Sequence, residues 1–175
     1  MIQNQHIENL QEKISRIKLF AFDVDGVLTN GEIIYTSGGD EIKIFNAKDG
    51  QGIDLMNKNG FITAVITARE SSIVTRRAEE LKITEVFQGE KKKFEAIKQL
   101  MEKYGLGLSE IAYVGDDLPD LCVLKEIGLA FCPYDAVEEV TQVCHFISSK
   151  EGGKGAVRQI TDFLIKNRIS SELKV

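Results

Sequence analysis

Two aspartates separated by one residue, Asp23 and Asp25, stand where a compact apolar run at residues 17–22 gives way to Gly26. Alternate residues of an extended chain point the same way, so two carboxylates at this spacing can converge on one point. A solvated acidic turn would look the same in isolation. Three further polar clusters also follow apolar runs of strand length. Thr67-Ala68-Arg69 follows residues 62–66, and its hydroxyl, with the N–H groups of an opening helix, can cradle phosphate oxygens. An N-cap for the next helix explains Thr67 equally well. Lys93 closes Gln88-Gly89-Glu90-Lys91-Lys92-Lys93, where three adjacent lysines point three ways and at most one or two face a site. Gly115-Asp116-Asp117-Leu118-Pro119-Asp120 follows residues 111–114; Asp117 also fits a helix cap with Pro119 in the first turn. Taken together, acids from the first and fourth clusters suit a hard cation bound through oxygen, while Thr67 and Lys93 suit a phosphate.

The elements that must position these residues are legible in the periodicity. Apolar runs at 17–22, 61–67, 85–87, 111–114, 128–131 and 145–147 read as strands. Between and after them, 49–59, 70–81, 91–104, 118–127, 136–141 and 156–167 carry helical spacing, several ending at Gly or Asn. Ile7, Leu10, Ile14 and Ile17 recur at helical intervals before the first strand, so residues 4–15 form an amphipathic helix whose stripe needs a partner. Strand-helix alternation of this kind predicts an α/β fold, a doubly wound parallel sheet with helices on both faces. All four polar clusters then lie at the carboxyl ends of strands, where such sheets bind ligands. Residues 31–35 and 41–45 break the alternation: they read as a β-hairpin turning at Thr36-Ser37-Gly38-Gly39-Asp40. Residues 169–175 are expected to follow the last helix as a mobile tail.

A chain of 175 residues, 43% hydrophobic, suits one domain with a single well-filled core. The net charge of -5 offers no electrostatic footprint for nucleic acid or an anionic membrane. Cys122, Cys132 and Cys144 are odd in number and show no CxxC spacing, which suits buried thiols in a reducing compartment and a cytoplasmic protein.

In order and spacing the four clusters resemble the signatures of the haloacid dehalogenase-like phosphatases: DxDGVxT, a Thr ending a strand, a Lys opening a helix, and GDDxxD. The resemblance spans residues 17 to about 165. It implies that Asp23 is a nucleophile forming an aspartyl-phosphate and that Asp25 acts as acid and then base. It implies Mg²⁺ held by Asp23, the Asp25 carbonyl and Asp116, with Asp117 and Asp120 orienting the metal or Lys93, and Lys93 and Thr67 stabilising the phosphoryl oxygens.

Neither gap where relatives insert a cap domain has room for one. The hairpin, the segment Phe45-Asn46-Ala47-Lys48-Asp49-Gly50-Gln51-Gly52 and the stretch Gly152-Gly153-Lys154-Gly155 closely resemble the cap-less 3-deoxy-D-manno-octulosonate 8-phosphate phosphatases. That likeness implies a small sugar-acid phosphate substrate and a homotetramer whose neighbouring subunits complete each site. It also implies substrate contacts from Asp25, Asn46, Ala47, Lys48, Asp49, Gly50, Arg69, Arg77 and Lys93. Arg77 also fits a solvated helix position, and Gly50 a turn. Ala68, Asp54 and Lys154 depart from that pattern. A phosphatase for a nine-carbon keto-sugar acid 9-phosphate is the near alternative, and a phosphoacceptor receiver domain the distant one.

Overall fold

The computed structural model describes residues 4–172, with side chains from 10 to 168. In chain order the first half holds α1 (Asn4–Arg16), β1 (Leu19–Phe22), β2 (Ile34–Tyr35), β3 (Glu41–Ile42), α2 (Ala47–Lys58), β4 (Ile62–Ile66) and α3 (Ser72–Glu80). The second half holds β5 (Glu85–Phe87), α4 (Lys93–Tyr104), β6 (Ile111–Val114), α5 (Leu121–Leu124), β7 (Leu129–Cys132), α6 (Glu138–Thr141), β8 (Phe146–Ile147) and α7 (Ala156–Glu172). Short 3-10 turns at Leu108–Glu110 and Leu118–Asp120 lead into β6 and α5.

Six strands form one sheet in the order β5-β4-β1-β6-β7-β8, every neighbouring pair parallel. β1 is central, and its alternation serves two cores. Phe20 and Phe22 enter a layer with α1, α2, α3 and α7, including Ile53, Met56, Val74, Val157 and Ile160. Leu19 and Ala21 enter the opposite layer with α4, α5 and α6, including Ile97, Leu100, Val123 and Val140. At ~1.5–3 kcal/mol per fully buried large apolar side chain, this two-sided burial fixes the register and hence the height at which β1 ends. The α1 stripe finds its partner here, for Leu10 and Ile14 join the layer containing α7.

The doubly wound parallel α/β fold with a hairpin insertion and no cap matches expectation, while several boundaries move. The hairpin strands have two residues each, β2 paired antiparallel with β3, against the five expected. The helix expected over 118–127 is a 3-10 turn followed by only four α-helical residues. Gly128 explains the early stop: a Cβ there would lie 2.4 Å from the Ser109 carbonyl oxygen, so the chain must leave the helix to pass that backbone into β7. α7 continues to Glu172, making residues 169–172 helical where a tail was expected, since no Gly or Pro interrupts them. Residues 1–3 and 173–175 lie outside the described residues.

Candidate active site

The carboxyl ends of β1, β4 and β6 open into a cavity of about 250 Å³ lined by Asp23, Asp25, Gly26, Thr67, Arg69, Lys93, Asp116 and Asp120, among others. A larger surface cleft, about 410 Å³, lies under α1 beside Leu108 and Gly128. Its ionic side chains are Glu12, Lys13, Arg16 and Glu126, and Glu12 and Arg16 pair with each other. The smaller cavity is where reactive groups converge.

The backbone N–H of Asp23 donates to the Val114 carbonyl at 3.0 Å, so β6 fixes where β1 ends. The Asp23 carboxylate accepts from the Val24 N–H at 2.7 Å through Oδ1 and from Lys93 Nζ at 2.5 Å through Oδ2. Lys93 opens α4 and is buried. Its Nζ also reaches Asp120 at 2.7 Å. Burial opposes the charge of Lys93, but Asp23 and Asp120 outweigh it and hold its pKa above the ordinary lysine range.

Asp120 is fully buried and uses both oxygens. Oδ1 accepts from Lys93 and from the Tyr113 hydroxyl at 2.7 Å, and Oδ2 from the N–H groups of Asp116 at 3.1 Å and Asp117 at 3.3 Å. One carboxylate thus aims the lysine and shapes the loop that carries Asp116. The close fit of that loop requires Gly26: its φ is +85°, and a Cβ there would lie 1.9 Å from Asp116 Oδ2.

The donor set suits a hard cation. Carboxylate oxygens of Asp23, Asp116 and Asp120 lie within 4.8 Å of one another. Asp116 Oδ1 is buried without a hydrogen-bond partner, which is costly unless something is meant to meet it. Burial, with the charges of Asp120 and Asp23, pushes Asp116 up to about 8. Burial likewise pushes Asp23 up to about 6 against the pull of Lys93. Three acids crowded at the floor of the cavity, two of them resisting ionisation, are what a divalent cation would relieve. Asp120 is saturated, so Asp23 and Asp116 are the carboxylates that fit as ligands.

Opposite the acids, Thr67 is buried at the end of β4, its N–H donating to Phe87 at 2.9 Å and its hydroxyl accepting from the Arg69 N–H at 3.4 Å. Arg69 lies 3.7 Å from Asp25 Oδ2 and donates to Glu41 at 2.8 Å and the Tyr35 hydroxyl at 3.1 Å. Lys43 is ion-paired with Asp25 Oδ1.

Residues 66–160 match the haloacid dehalogenase-like hydrolase family. The chain is 36% identical over 157 residues to the 3-deoxy-D-manno-octulosonate 8-phosphate phosphatase KdsC of Escherichia coli strain B, covering 90% of this chain and 84% of that protein. Among solved structures, that of the Moraxella catarrhalis phosphatase of the same name, in complex with a magnesium ion, a phosphate ion and a KDO molecule, superposes with a TM-score of 0.91. It is 41% identical and the match covers 96% and 97% of the two chains. A probable YrbI family phosphatase from Pseudomonas syringae gives 0.89 at 40% identity, covering 92% of each chain. The chain belongs to the 3-deoxy-D-manno-octulosonate 8-phosphate phosphatase family.

Of the residues expected to act in this family member, Asp23, Asp25, Thr67, Arg69, Lys93, Asp116 and Asp120 meet in one cavity. Others are placed differently. Asp117 lines the same cavity, but its exposed carboxylate, expected to orient the metal or Lys93, caps the Leu118–Asp120 turn, accepting from Leu118 N–H at 2.7 Å. Asn46 is the N-cap of α2, accepting from Lys48 N–H at 2.8 Å. The buried Asp49 carboxylate faces α7, where it accepts from the N–H groups of Gly155 at 3.1 Å and Arg158 at 2.9 Å. Ala47, Gly50 and Arg77 line a separate groove between α2 and α3, with Arg77 over the Phe45 ring, and Lys48 is exposed. Asp54 lines this groove too and pairs with Lys58 at 2.6 Å. Within one subunit, then, the 46–50 segment and Arg77 stand apart from Asp23. Lys43, Glu41 and Tyr113 were not foreseen as site residues. Their signal was weak: Glu41 and Lys43 are one hairpin face at period two, and Tyr113 sits inside an apolar run.

Proposed function

We propose that this chain hydrolyses 3-deoxy-D-manno-octulosonate 8-phosphate to the free sugar acid and phosphate with Mg²⁺ bound. The observation that carries this reading is the near full-length match to the Moraxella catarrhalis protein solved with magnesium, phosphate and KDO, on a chain whose own acids are arranged for a cation. Asp23, Asp116 and the Asp25 carbonyl would hold the Mg²⁺, which when bound neutralises phosphate charge. Asp23 attacks phosphorus through its carboxylate, which the Lys93 ammonium keeps in place, and the P–O bond to the sugar breaks. Asp25 gives its proton to the departing alkoxide, then takes one from the water that attacks the aspartyl-phosphate and returns Asp23. Lys93 and the Thr67 hydroxyl meet charge on the phosphoryl oxygens.

The cavity is open to solvent, while a phosphorylated aspartate gains from exclusion of bulk water. Support for a homotetramer comes from the hairpin, which leaves Ile42 and Ile44 exposed on its outer face and Ile33 and Tyr35 exposed beside Glu41 on the other. Assembly through the hairpin would bring the 46–50 segment, Arg69 and Arg77 of different subunits into play at one substrate. No described helix is long and apolar enough to cross a membrane, and we place the enzyme in the cytoplasm. The deciding experiment compares phosphate release from eight- and nine-carbon keto-acid phosphates, with and without Mg²⁺. Preference for the eight-carbon ester with Mg²⁺ supports the reading, and equal or reversed preference overturns the substrate assignment.

A further inference from the structure

Glu41 and Lys43 leave the same face of the hairpin, being two residues apart on an extended segment, while Ile42 and Ile44 stay 43% and 63% exposed on the other. The inner face meets the catalytic loop. The Lys43 side chain is only 3% exposed, with Nζ ion-paired to Asp25 Oδ1 and 3.5 Å from Glu41 Oε1. Glu41 is itself anchored, accepting from Arg69 at 2.8 Å and from the Ser71 hydroxyl at 2.8 Å. Asp25 is therefore gripped on both oxygens, by Lys43 on Oδ1 and by Arg69 at 3.7 Å on Oδ2.

Lys43 stands behind Asp25, outside the residues that line the cavity, so it reaches the phosphate only through Asp25. Burying an ammonium is expensive without close anionic partners. A hairpin that merely joined subunits would have no need of one here. General acid catalysis depends on holding the carboxyl within hydrogen-bond reach of one oxygen, and a free aspartate side chain samples several rotamers. We infer that Lys43 is a positioning residue: anchored by Glu41, it fixes the Asp25 carboxylate beside the position opposite Asp23 that the leaving oxygen occupies first and the attacking water after it. The inference rests on Asp25 being acid and base, as in the reaction above.

Lys43→Met and Lys43→Arg, purified with Mg²⁺, separate this role from a structural one. Two esters are used: the octulosonate 8-phosphate, whose alkoxide needs a proton, and 4-nitrophenyl phosphate, whose phenolate leaves without one. In Lys43→Met, kcat/KM for the sugar phosphate is expected to fall about 30-fold or more, within the range that acid-base groups contribute. For the aryl ester kcat/KM stays within about threefold, because Asp23 still attacks, while its kcat falls and a burst of about one nitrophenolate per site appears as the water step slows. Lys43→Arg recovers most of the loss. Unchanged kinetics on both esters, or equal losses in kcat/KM on both without a burst, overturns the inference. If Lys43→Met does not fold, judged by its melting curve, Glu41→Gln removes the anchor from the hairpin side and is held to the same outcomes with smaller changes. Should wild-type protein ignore the sugar phosphate, the substrate assignment fails, and the burst with the aryl ester still decides the role of Lys43.

Discussion

Without a cation, Asp116 at about 8 and Asp23 at about 6 both hold protons more tightly than in an unfolded chain, where 3.8 is the reference. The folded state therefore binds more protons than the unfolded state between about pH 4 and 8, and metal-free protein loses stability as pH rises through that window. This is the reverse of a carboxylate stabilised by a salt bridge. Mg²⁺ meets charges that repel one another only once they have ionised, so it is expected to raise the melting temperature more at pH 8 than at pH 6. Thermal unfolding with Mg²⁺ and with a chelator at the two pH values checks this, and an equal rise at both contradicts it. Asp23→Asn is expected to lower turnover at least about a thousandfold, since an amide cannot carry the phosphoryl group, while leaving the melting temperature of metal-free protein unchanged or higher. The acids and Lys93 could be read from sequence because each ends or follows an apolar run. Tyr113 could not, because a strand tyrosine looks the same whether its hydroxyl meets water or Asp120.

At the scale of elements, the site depends on loops that press on one another. The segment before α7 lies against the catalytic loop so closely that a Cβ on Gly152 would sit 1.9 Å from the Gly26 carbonyl oxygen and one on Gly153 2.7 Å from the Thr29 carbonyl carbon. Asp49 pins the same segment from α2, accepting the N–H groups of Gly155 and Arg158. Family resemblance had suggested Asp49 for substrate contact, and its geometry says that it closes the start of α7. Asp49→Ala is expected to cost about 1–3 kcal/mol of stability, the range for stranding buried donors and losing a cap, with KM within about twofold of wild type. Urea unfolding and steady-state kinetics separate the two roles, and a large rise in KM without loss of stability would restore Asp49 to the substrate. Helix and strand order was legible because α/β periodicity is strong here. The end of α5 and the two-residue hairpin strands were not, because close backbone passage at Gly128 and hairpin geometry act across distant parts of the chain, whereas the longer α7 follows from a stretch at 169–172 with no Gly or Pro.

At the scale of the molecule, one chain holds the proposed chemistry and leaves its mouth open, while a hairpin ribbon projects beside it with Ile42 and Ile44 exposed on its outer face and Ile33 and Tyr35 exposed on the other. A two-stranded hairpin is marginal when isolated, and exposed edges and apolar patches of this kind mark contact surfaces. The face opposite Ile42 and Ile44 carries Tyr35, Glu41 and Lys43 onto Arg69 and Asp25, so whatever steadies the ribbon steadies the proposed acid-base group. Assembly and turnover should therefore fail together. Ile44→Lys places a charge on the outer face without touching Lys43, Asp25 or the metal ligands. On the proposed homotetramer, it is expected to shift sedimentation from tetramer toward monomer at micromolar concentration and to lower kcat on the sugar phosphate about tenfold or more. Stabilisation by Mg²⁺ should persist, because Asp23 and Asp116 belong to one chain. Raising the protein concentration of this variant should recover activity along with assembly, since association follows mass action. A wild-type monomer with full activity, or an Ile44→Lys monomer that turns over normally, would show that each subunit works alone.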